Sequence, residues 1–500
     1  MTSPALSYHA ATKYAPDTIG GHPGLDWASQ PLPHKEYHSE GGVGLADLLP
    51  LDPNPFTGQA APAAAVVADS TGVSLATLSR WIYFTYGVTA VVAQPDRQLL
   101  LRSAPSAGGL YPAELYLAIR AWPGLEPGLY GYDPRRHRLV LLADGAGTAD
   151  ALAAAAYGDA ALAAAPAIAV VSGVFERSRW RYQERAYRRV LLDCGHLLGN
   201  AGVVANALGL RLHVTAAFCD QRAEAALRLD PASEGVLALM ALNRPGAAER
   251  PAWTALPSAP SASALAAPTL AALHAASRLP PERPRLLVSG EIASEALEAF
   301  HGWSSGERLR APDQVPAATV LASVLRRRSC RRFRRATIPR AALARILTAG
   351  YLPAEAGLGE AHALDRERLA TFVAVSDVAG LAPGVYYLAP HQLELRLVRA
   401  GDPHEAARFV ALGQDLAGDA GAVVFHTADL AAAVQAMGDR AYRYLHLDAG
   451  IIGQRMNLAA VAEDLGASGI GGFFDDQTAD LLGIPREQAI VYITVLGTPA

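Results

Sequence analysis

Cysteine is scarce: Cys194, Cys219 and Cys330 are the three in a chain of 500 residues. They lie far apart without metal-type spacing, so neither a metal site nor a disulfide framework is expected, and a reduced, intracellular setting fits. Met1 to Pro16 lacks a basic segment followed by an apolar core, so no secretory signal is read there. Long apolar runs are missing too. Ala160 to Phe175 is interrupted by Pro166 and Gly173, and Pro251 to Ser277 by prolines and serines, so neither reaches the ~20 residues that cross a bilayer. A soluble, cytoplasmic protein is the expectation. No charge of one sign dominates: 43 Lys and Arg stand against 47 Asp and Glu, which leaves no net field for nucleic acid or an anionic membrane. The Walker loop and Cys-x-x-Cys are both absent. His404-Glu405-Ala406-Ala407-Arg408 opens like a zinc-binding helix but puts Arg408 where the second ligand must stand.

What is present is a repeat at about 255 residues. Ala186-Tyr187-Arg188 and Leu191-Leu192-Asp193-Cys194-Gly195 return as Ala441-Tyr442-Arg443 and Leu445-His446-Leu447-Asp448-Ala449-Gly450, and Pro127-Gly128-Leu129-Tyr130 returns as Pro383-Gly384-Val385-Tyr386. One fold carried twice reads as an obligate dimer fused into one polypeptide, with domains at 1–250 and 251–500. Each half is long enough to bury its own core.

Residues 1 to 60, rich in Pro, Gly, His and Asp, read as an extended arm over a domain. A helix is expected from Leu75 to Tyr86, strands at Glu114 to Ile119, Arg138 to Leu142 and Ala167 to Val171, a long helix from about Glu184 to Leu208 ended by Gly209, and a strand at Val236 to Leu242. Pro251 to Pro284, dense in Pro, Ser and Ala, marks the boundary. The second half repeats the order with a helix ending near Arg326, a helix at Arg340 to Ala349, strands at Ala370 to Val375 and Ala422 to Phe425, a long helix at Arg440 to Leu465 and a final strand at Ala489 to Leu496. Strands mixed with helices but lacking regular βαβ spacing predict an α+β layer fold, with the long helices as the seam.

Three segments differ between the copies. Arg326 to Arg335 holds seven arginines in ten residues, suited to clamping a phosphate with Ser329 as an added donor, or equally to a solvated basic surface. The stretch ahead of Ser74 has no such cluster. Arg102-Ser103-Ala104-Pro105-Ser106-Ala107-Gly108-Gly109-Leu110-Tyr111-Pro112 would let backbone amides approach a flat ligand, or is a structural turn; its counterpart, Pro353 to Gly359, carries Glu355. Gly469-Ile470-Gly471-Gly472 follows the second long helix, where the first half has Val214-Thr215-Ala216-Ala217. It fails as a dinucleotide fingerprint because it follows a helix.

Taken together these segments resemble the nitroreductase superfamily of flavin enzymes. The first half resembles the SagB/ThcOx-type azoline dehydrogenases, through Arg102 to Pro112, Tyr182 to Arg188 running into Asp193-Cys194-Gly195-His196, Tyr8-His9 and Lys35-Glu36-Tyr37. The resemblance implies two nitroreductase-like domains in tandem, an intramolecular pseudo-dimer with FMN between the halves. It assigns the phosphate to Arg327, Arg328, Ser329 and Arg331, the turn facing the flavin N5 to Ile470, Gly471 and Gly472, and the opposing loop to Arg102, Pro105, Ser106, Ala107, Gly108 and Gly109. One FMN per chain follows, because the complementary site lacks both a clamp and a clean loop.

The implied activity is oxidation of an azoline, or a related dehydrogenation, on a peptide or carrier-bound intermediate, alongside a cyclase or synthetase partner. The family's Lys-Tyr catalytic pair reads Arg181-Tyr182 here, and arginine cannot give up its charge. Tyr182 serves if a neighbour such as Arg181 or Arg185 lowers its pKa, or equally is a packed tyrosine with its hydroxyl directed to solvent. His196 is expected to be a satisfied core or interface histidine. The alternatives are an NAD(P)H-dependent nitroreductase or flavin reductase, and a catalytically silent peptide-binding scaffold.

Overall fold

The computed structural model describes residues 3–19, 24–39, 41–49, 73–93, 98–243, 256–258, 268–284, 306–309, 317–353, 368–390 and 392–500. The stretch immediately ahead of the first core helix, the counterpart loop from Ala354 to Gly359 and parts of the boundary segment lie outside them. Among the described residues no helix is long and apolar enough to cross a membrane.

The first half contributes helices α1 (Pro4–Ala11), α2 (Leu75–Tyr86), α3 (Gly147–Ala155), α4 (Ala160–Ala164), α5 (Phe175–Tyr182), α6 (Ala186–Ala207) and α7 (Asp220–Leu227). Its strands are β1 (Gly42–Gly44), the hairpin β2 (Val88–Ala93) and β3 (Gln98–Arg102), then β4 (Ala113–Ile119), β5 (Gly128–Asp133), β6 (Arg138–Asp144), β7 (Ala167–Val174), β8 (Arg211–Thr215) and β9 (Glu234–Asn243). Apart from the hairpin they form an antiparallel sheet in the order β1-β6-β5-β4-β7-β9-β8.

The second half repeats this with α8 (Leu270–Ala276), α9 (Ala317–Arg326), α10 (Arg340–Tyr351), α11 (His404–Val410), α12 (Asp415–Gly418), α13 (Leu430–Met437), α14 (Ala441–Ala462) and α15 (Asp475–Leu482). Its sheet runs β10 (Glu307–Arg308), β14 (Glu394–Ala400), β13 (Gly384–Ala389), β12 (Ala370–Val375), β15 (Ala422–Ala428) and β17 (Ala489–Pro499), with β16 (Gly466–Ile470) and β11 (Phe333–Arg334) both paired to β17. Apart from Val174, Ala370 and Pro499 at strand ends, the apolar residues of β4, β7 and β9, and of β12, β15 and β17, are buried, as expected of strands covered on both faces.

The two long helices, α6 and α14, cross at the seam. A Cβ on Gly195 would lie 2.4 Å from the Leu447 carbonyl oxygen, and one on Gly450 would lie 2.4 Å from that of Leu192. These glycines are repeat counterparts, so the backbones touch where the pseudo-twofold axis passes.

Two buried ion clusters flank this crossing. Asp475 accepts from Arg185 Nη1 and Arg188 Nη1, each at 2.8 Å. Asp220 accepts from Arg440 Nη1 at 2.6 Å and Arg443 Nη1 at 2.5 Å. In each cluster the carboxylate belongs to one half and both guanidiniums to the other. Burial pushes both carboxyls up, but the paired arginines outweigh it and hold them well below the usual carboxylate range.

The expected extended arm begins instead as a helix. Ser3 caps α1 by accepting from Leu6 N, and Pro4 occupies its first turn. Its counterpart is α8, capped by Thr269, inside the segment read as a boundary. Arg188 Nη2 donates to the His9 carbonyl at 2.8 Å, and Arg443 Nη2 to the His274 carbonyl at 2.9 Å. Tyr14 N donates to Asp475 at 2.9 Å, and Leu279 N to Asp220 at 2.8 Å. Residues 268–284 are therefore the second half's own arm, not a spacer.

Removing one partner from a buried ion network leaves the other charges uncompensated. Asp475→Asn and Asp220→Asn should each lower unfolding free energy by about 3–5 kcal/mol in urea titration. A loss below about 1 kcal/mol in both would show that the clusters do not hold the halves together.

Candidate active site

A cavity of about 830 Å³ opens between the halves beside the seam. Its size falls within the ~300–1,000 Å³ of typical small-molecule sites. The first half contributes Pro105 to Gly109, Tyr111, Arg181, Tyr182, Arg189, Asp193 and His196; the second contributes Arg327, Arg328, Ser329, Arg331, Gly469 to Gly472 and Tyr492. Thus the arginine-rich stretch, the Ser-Ala-Gly loop and the Gly-rich turn, which lie far apart between Pro105 and Gly472 in the sequence, line one cleft.

Arg102 is the exception among the expected residues. It is buried behind the loop, its guanidinium 4.4 Å from the Tyr86 ring centroid and 4.7 Å from that of Tyr111, and it donates to the Pro33 carbonyl. It braces the loop rather than lining the cavity.

The loop is anchored from α6. Ser106 Oγ donates to Asp193 Oδ2 at 2.5 Å, and Ala107 N approaches both Asp193 oxygens at 3.2 Å. Ser106 Oγ also accepts from Tyr111 N at 2.8 Å. Burial raises the Asp193 carboxyl to about 7, against the pull of those two donors and of Arg189.

The arginine-rich stretch divides its work. Arg327 is buried, which lowers it to about 10, and donates to the carbonyls of Ser103 at 2.8 Å and Arg102 at 3.0 Å. It ties the second half to the base of the first half's loop. Arg328 donates to the carbonyls of Leu325, Arg327 and Thr89. Ser329 and the exposed Arg331 stand at the cavity wall.

On the opposite wall Tyr182 approaches the loop so closely that a Cβ on Gly108, at φ +66°, would lie 2.9 Å from its hydroxyl. The nearest cation to its ring is Arg189, with the guanidinium 4.1 Å from the centroid, against 5.8 Å for Arg181. Arg185 is taken by Asp475 and the Thr12 carbonyl. The expectation that neighbouring cations lower Tyr182 is corrected: burial prevails and raises it, with Arg189 and Arg181 opposing. Sequence reading missed Arg189 and Tyr492, and named Asp193 within a motif without giving it a role. Tyr492 meets His196, whose Nδ1 lies 2.8 Å from the Leu192 carbonyl and must donate to it, so Nε2 accepts from the Tyr492 hydroxyl at 3.0 Å. Burial lowers His196 to about 4, keeping it neutral. His196 is thus a satisfied interface histidine that also lines the cavity.

Among the described residues, the symmetry-related cleft is occupied by the chain itself. The counterparts of Tyr182, Arg189, Gly471, Gly472 and Leu412 are Met437, Tyr444, Ala216, Ala217 and Tyr157. Leu256 packs against Ala217, Leu279 and Tyr157, its N and carbonyl oxygen bond the Tyr444 hydroxyl, and Ser258 N donates to the Met437 carbonyl at 2.9 Å.

The model of the Nitroreductase family matches twice, at residues 69–243 and 324–498. The chain belongs to the nitroreductase family. A crystal structure described as a putative nitroreductase from Anabaena variabilis is 37% identical, covers 100% of both chains and superposes with a TM-score of 0.88. Among curated relatives, the Putative nitroreductase MJ1384 of Methanocaldococcus jannaschii is 33% identical over 35% of this chain and 83% of its own. The Trifolitoxin-processing protein TfxB of Rhizobium leguminosarum bv. trifolii is 28% identical over 42% of this chain and 58% of its own length. The Microcin B17-processing protein McbC of Escherichia coli is 26% identical over 35% and 64%. The chain thus spans less than two thirds of either processing protein. Two nitroreductase-family units in tandem, mixed in helix and sheet, agree with the α+β expectation.

Because Asp193 titrates higher folded than unfolded, its contribution to stability is full below its unfolded value near 4 and is lost as pH rises through about 7. Asp193→Asn should flatten the fall in melting temperature over that window. An unchanged pH profile would show that Asp193 is ionised throughout.

Proposed function

We propose that the chain is an FMN-dependent dehydrogenase that oxidises an azoline, or a closely related bond, in a peptide or carrier-bound intermediate. The observation that carries this reading is convergence: every expected segment of one flavin site lines a single interhalf cleft, while its counterpart is occupied by Leu256.

The residues present fit the cofactor. Cations and a hydroxyl gather at the Ser329 and Arg331 wall, where a phosphate would be held, with Arg327 and Arg328 behind. Gly471 and Gly472 would present backbone to the ring edge, and Pro105 to Gly109 would cover the other side. When bound, FMN would supply a hydride acceptor.

The remaining work falls to the protein. The Asp193 anchor holds the loop against the ring position, and the walls from both halves exclude water. Tyr182 is the group placed to move a proton. The substrate's acidic ring hydrogen would leave as a proton to Tyr182, and the hydrogen on the adjacent carbon would leave as hydride with its electron pair. Burial disfavours the tyrosinate and prevails over the opposing Arg189 and Arg181 guanidiniums, so turnover that uses Tyr182 as base should rise with pH. The names of TfxB and McbC support a processing role; a peptide substrate and a cyclase or synthetase partner complete the reading.

The name of MJ1384 favours a second reading, an NAD(P)H-dependent nitroreductase on small molecules. Purified protein should be yellow. NAD(P)H alone should bleach it slowly, and a thiazoline peptide should bleach it anaerobically; rapid bleaching by NAD(P)H without peptide would favour the second reading. Arg331→Glu, at an exposed position, should give folded but colourless protein. Tyr182→Phe should keep the colour and lose at least 100-fold in turnover, on the scale of lost general acid–base catalysis, ~10²–10⁴. A Tyr182→Phe enzyme of normal rate would remove Tyr182 from the mechanism.

A further inference from the structure

Arg189 is buried to 6% exposure in the cleft wall, yet its Nε has no hydrogen-bond partner and no carboxylate lies within 4 Å of its guanidinium among the described residues. Its nearest acid along α6, Asp193, is committed to Ser106 and Ala107. By contrast Arg188 in this helix and Arg185 just ahead of it both pair with Asp475, although Arg185 Nε and Nη2 are also buried without a partner. Stacking on Tyr182 recovers only part of what burying a guanidinium costs. The surroundings are built to receive it. A Cβ on Gly471 would fall 1.9 Å from Arg189 Nη1, so the turn opposite must be glycine for the guanidinium to lie there. In the filled counterpart cleft the same two positions are Tyr444 and Ala216.

We propose that Arg189 receives an anionic oxygen of the substrate: that of the carbonyl group attached to the carbon that loses its proton. This rests on the dehydrogenase reading above. As that C–H bond breaks and its proton passes to Tyr182, the electron pair spreads onto the carbonyl oxygen facing Arg189. It would return to form the ring C=C bond as the neighbouring hydrogen leaves as hydride, with FMN, when bound, supplying the two-electron oxidant. Arg189 thus strengthens its contact as charge develops, which favours the transition state over the bound substrate. The substrate class is a five-membered azoline bearing a carbonyl or carboxylate beside the reacting bond.

The test uses the full-length protein and two product-like probes, thiazole-4-carboxylate and thiazole-4-carboxamide, with binding followed by equilibrium dialysis. The wild type should bind the carboxylate at least tenfold more tightly than Arg189→Gln does, whereas the carboxamide should differ by less than about threefold between them. Arg189→Lys should retain part of the preference, and Gly471→Ala, which displaces the guanidinium, should lose it. Arg189→Met should raise the melting temperature of the ligand-free protein, because it removes an unpaired buried charge; a merely structural arginine would lower it. Equal carboxylate affinity in wild type and Arg189→Gln would overturn the proposal. So would weakened sulfite addition to the flavin in Arg189→Gln with carboxylate binding unchanged, since the cation would then serve the cofactor. A colourless wild type that still selects the carboxylate through Arg189 would sink the flavin reading and with it the hydride step, leaving only the contact between Arg189 and an anionic oxygen.

Discussion

Two buried aspartates, each holding a pair of arginines from the opposite half, set the geometry on which the rest depends. Asp475 and Asp220 each receive two guanidiniums and one backbone N–H from an arm, so a single carboxylate joins sheet domain, long helix and arm. Ionic links of this kind are poor sources of stability compared with apolar packing, but they tolerate little displacement. Together with the close approach of Gly195 and Gly450, they fix how one half sits on the other. The cleft inherits that precision. Asp475 opens α15, only three residues beyond Gly472, and Arg188 precedes Arg189, so the same cluster that joins the halves also positions the two groups facing each other across the cavity.

The pseudo-symmetry is kept where it joins the halves and lost where it would make a second site. Arg185, Arg188 and Asp220 have like counterparts in Arg440, Arg443 and Asp475, and the arms α1 and α8 make the same bonds. Tyr182, Arg189 and Gly471 have unlike ones. In a symmetric dimer every change is made at both sites, whereas in one chain a residue can change in one copy alone. Leu256 shows the consequence, filling with apolar packing the space that a ligand would need.

Much of this was legible in the sequence because repetition exposes it. Helices α2, α6, α10 and α14 and strands β4, β7, β9, β12, β15 and β17 follow from apolar periodicity and glycine stops. The clamp, loop and turn stand out as departures between copies. The second arm was hidden because Ala-rich composition and prolines looked like a linker, although His274-Ala275-Ala276-Ser277 parallels His9-Ala10-Ala11-Thr12. The helical start of the first arm had a signal in Ser3-Pro4, a capping residue before a first-turn proline. Arg189 had a weaker one, its replacement by Tyr444 within an otherwise matching helix. Nothing in the sequence says that Arg188 is paired and Arg189 is not, because adjacent helical residues point about 100° apart and only the partner half decides which one meets a carboxylate. Arg102 was placed with the ligand because it begins the loop, yet its side chain turns back onto Tyr86 and Tyr111.

The central claim is that the two halves retain complementary parts of one flavin pocket. The ratio of bound FMN to polypeptide, measured from the absorbance of released flavin and amino-acid analysis after saturation with FMN, tests it most directly. The account predicts a ratio of one; a ratio of two, with both clefts occupied, would contradict it.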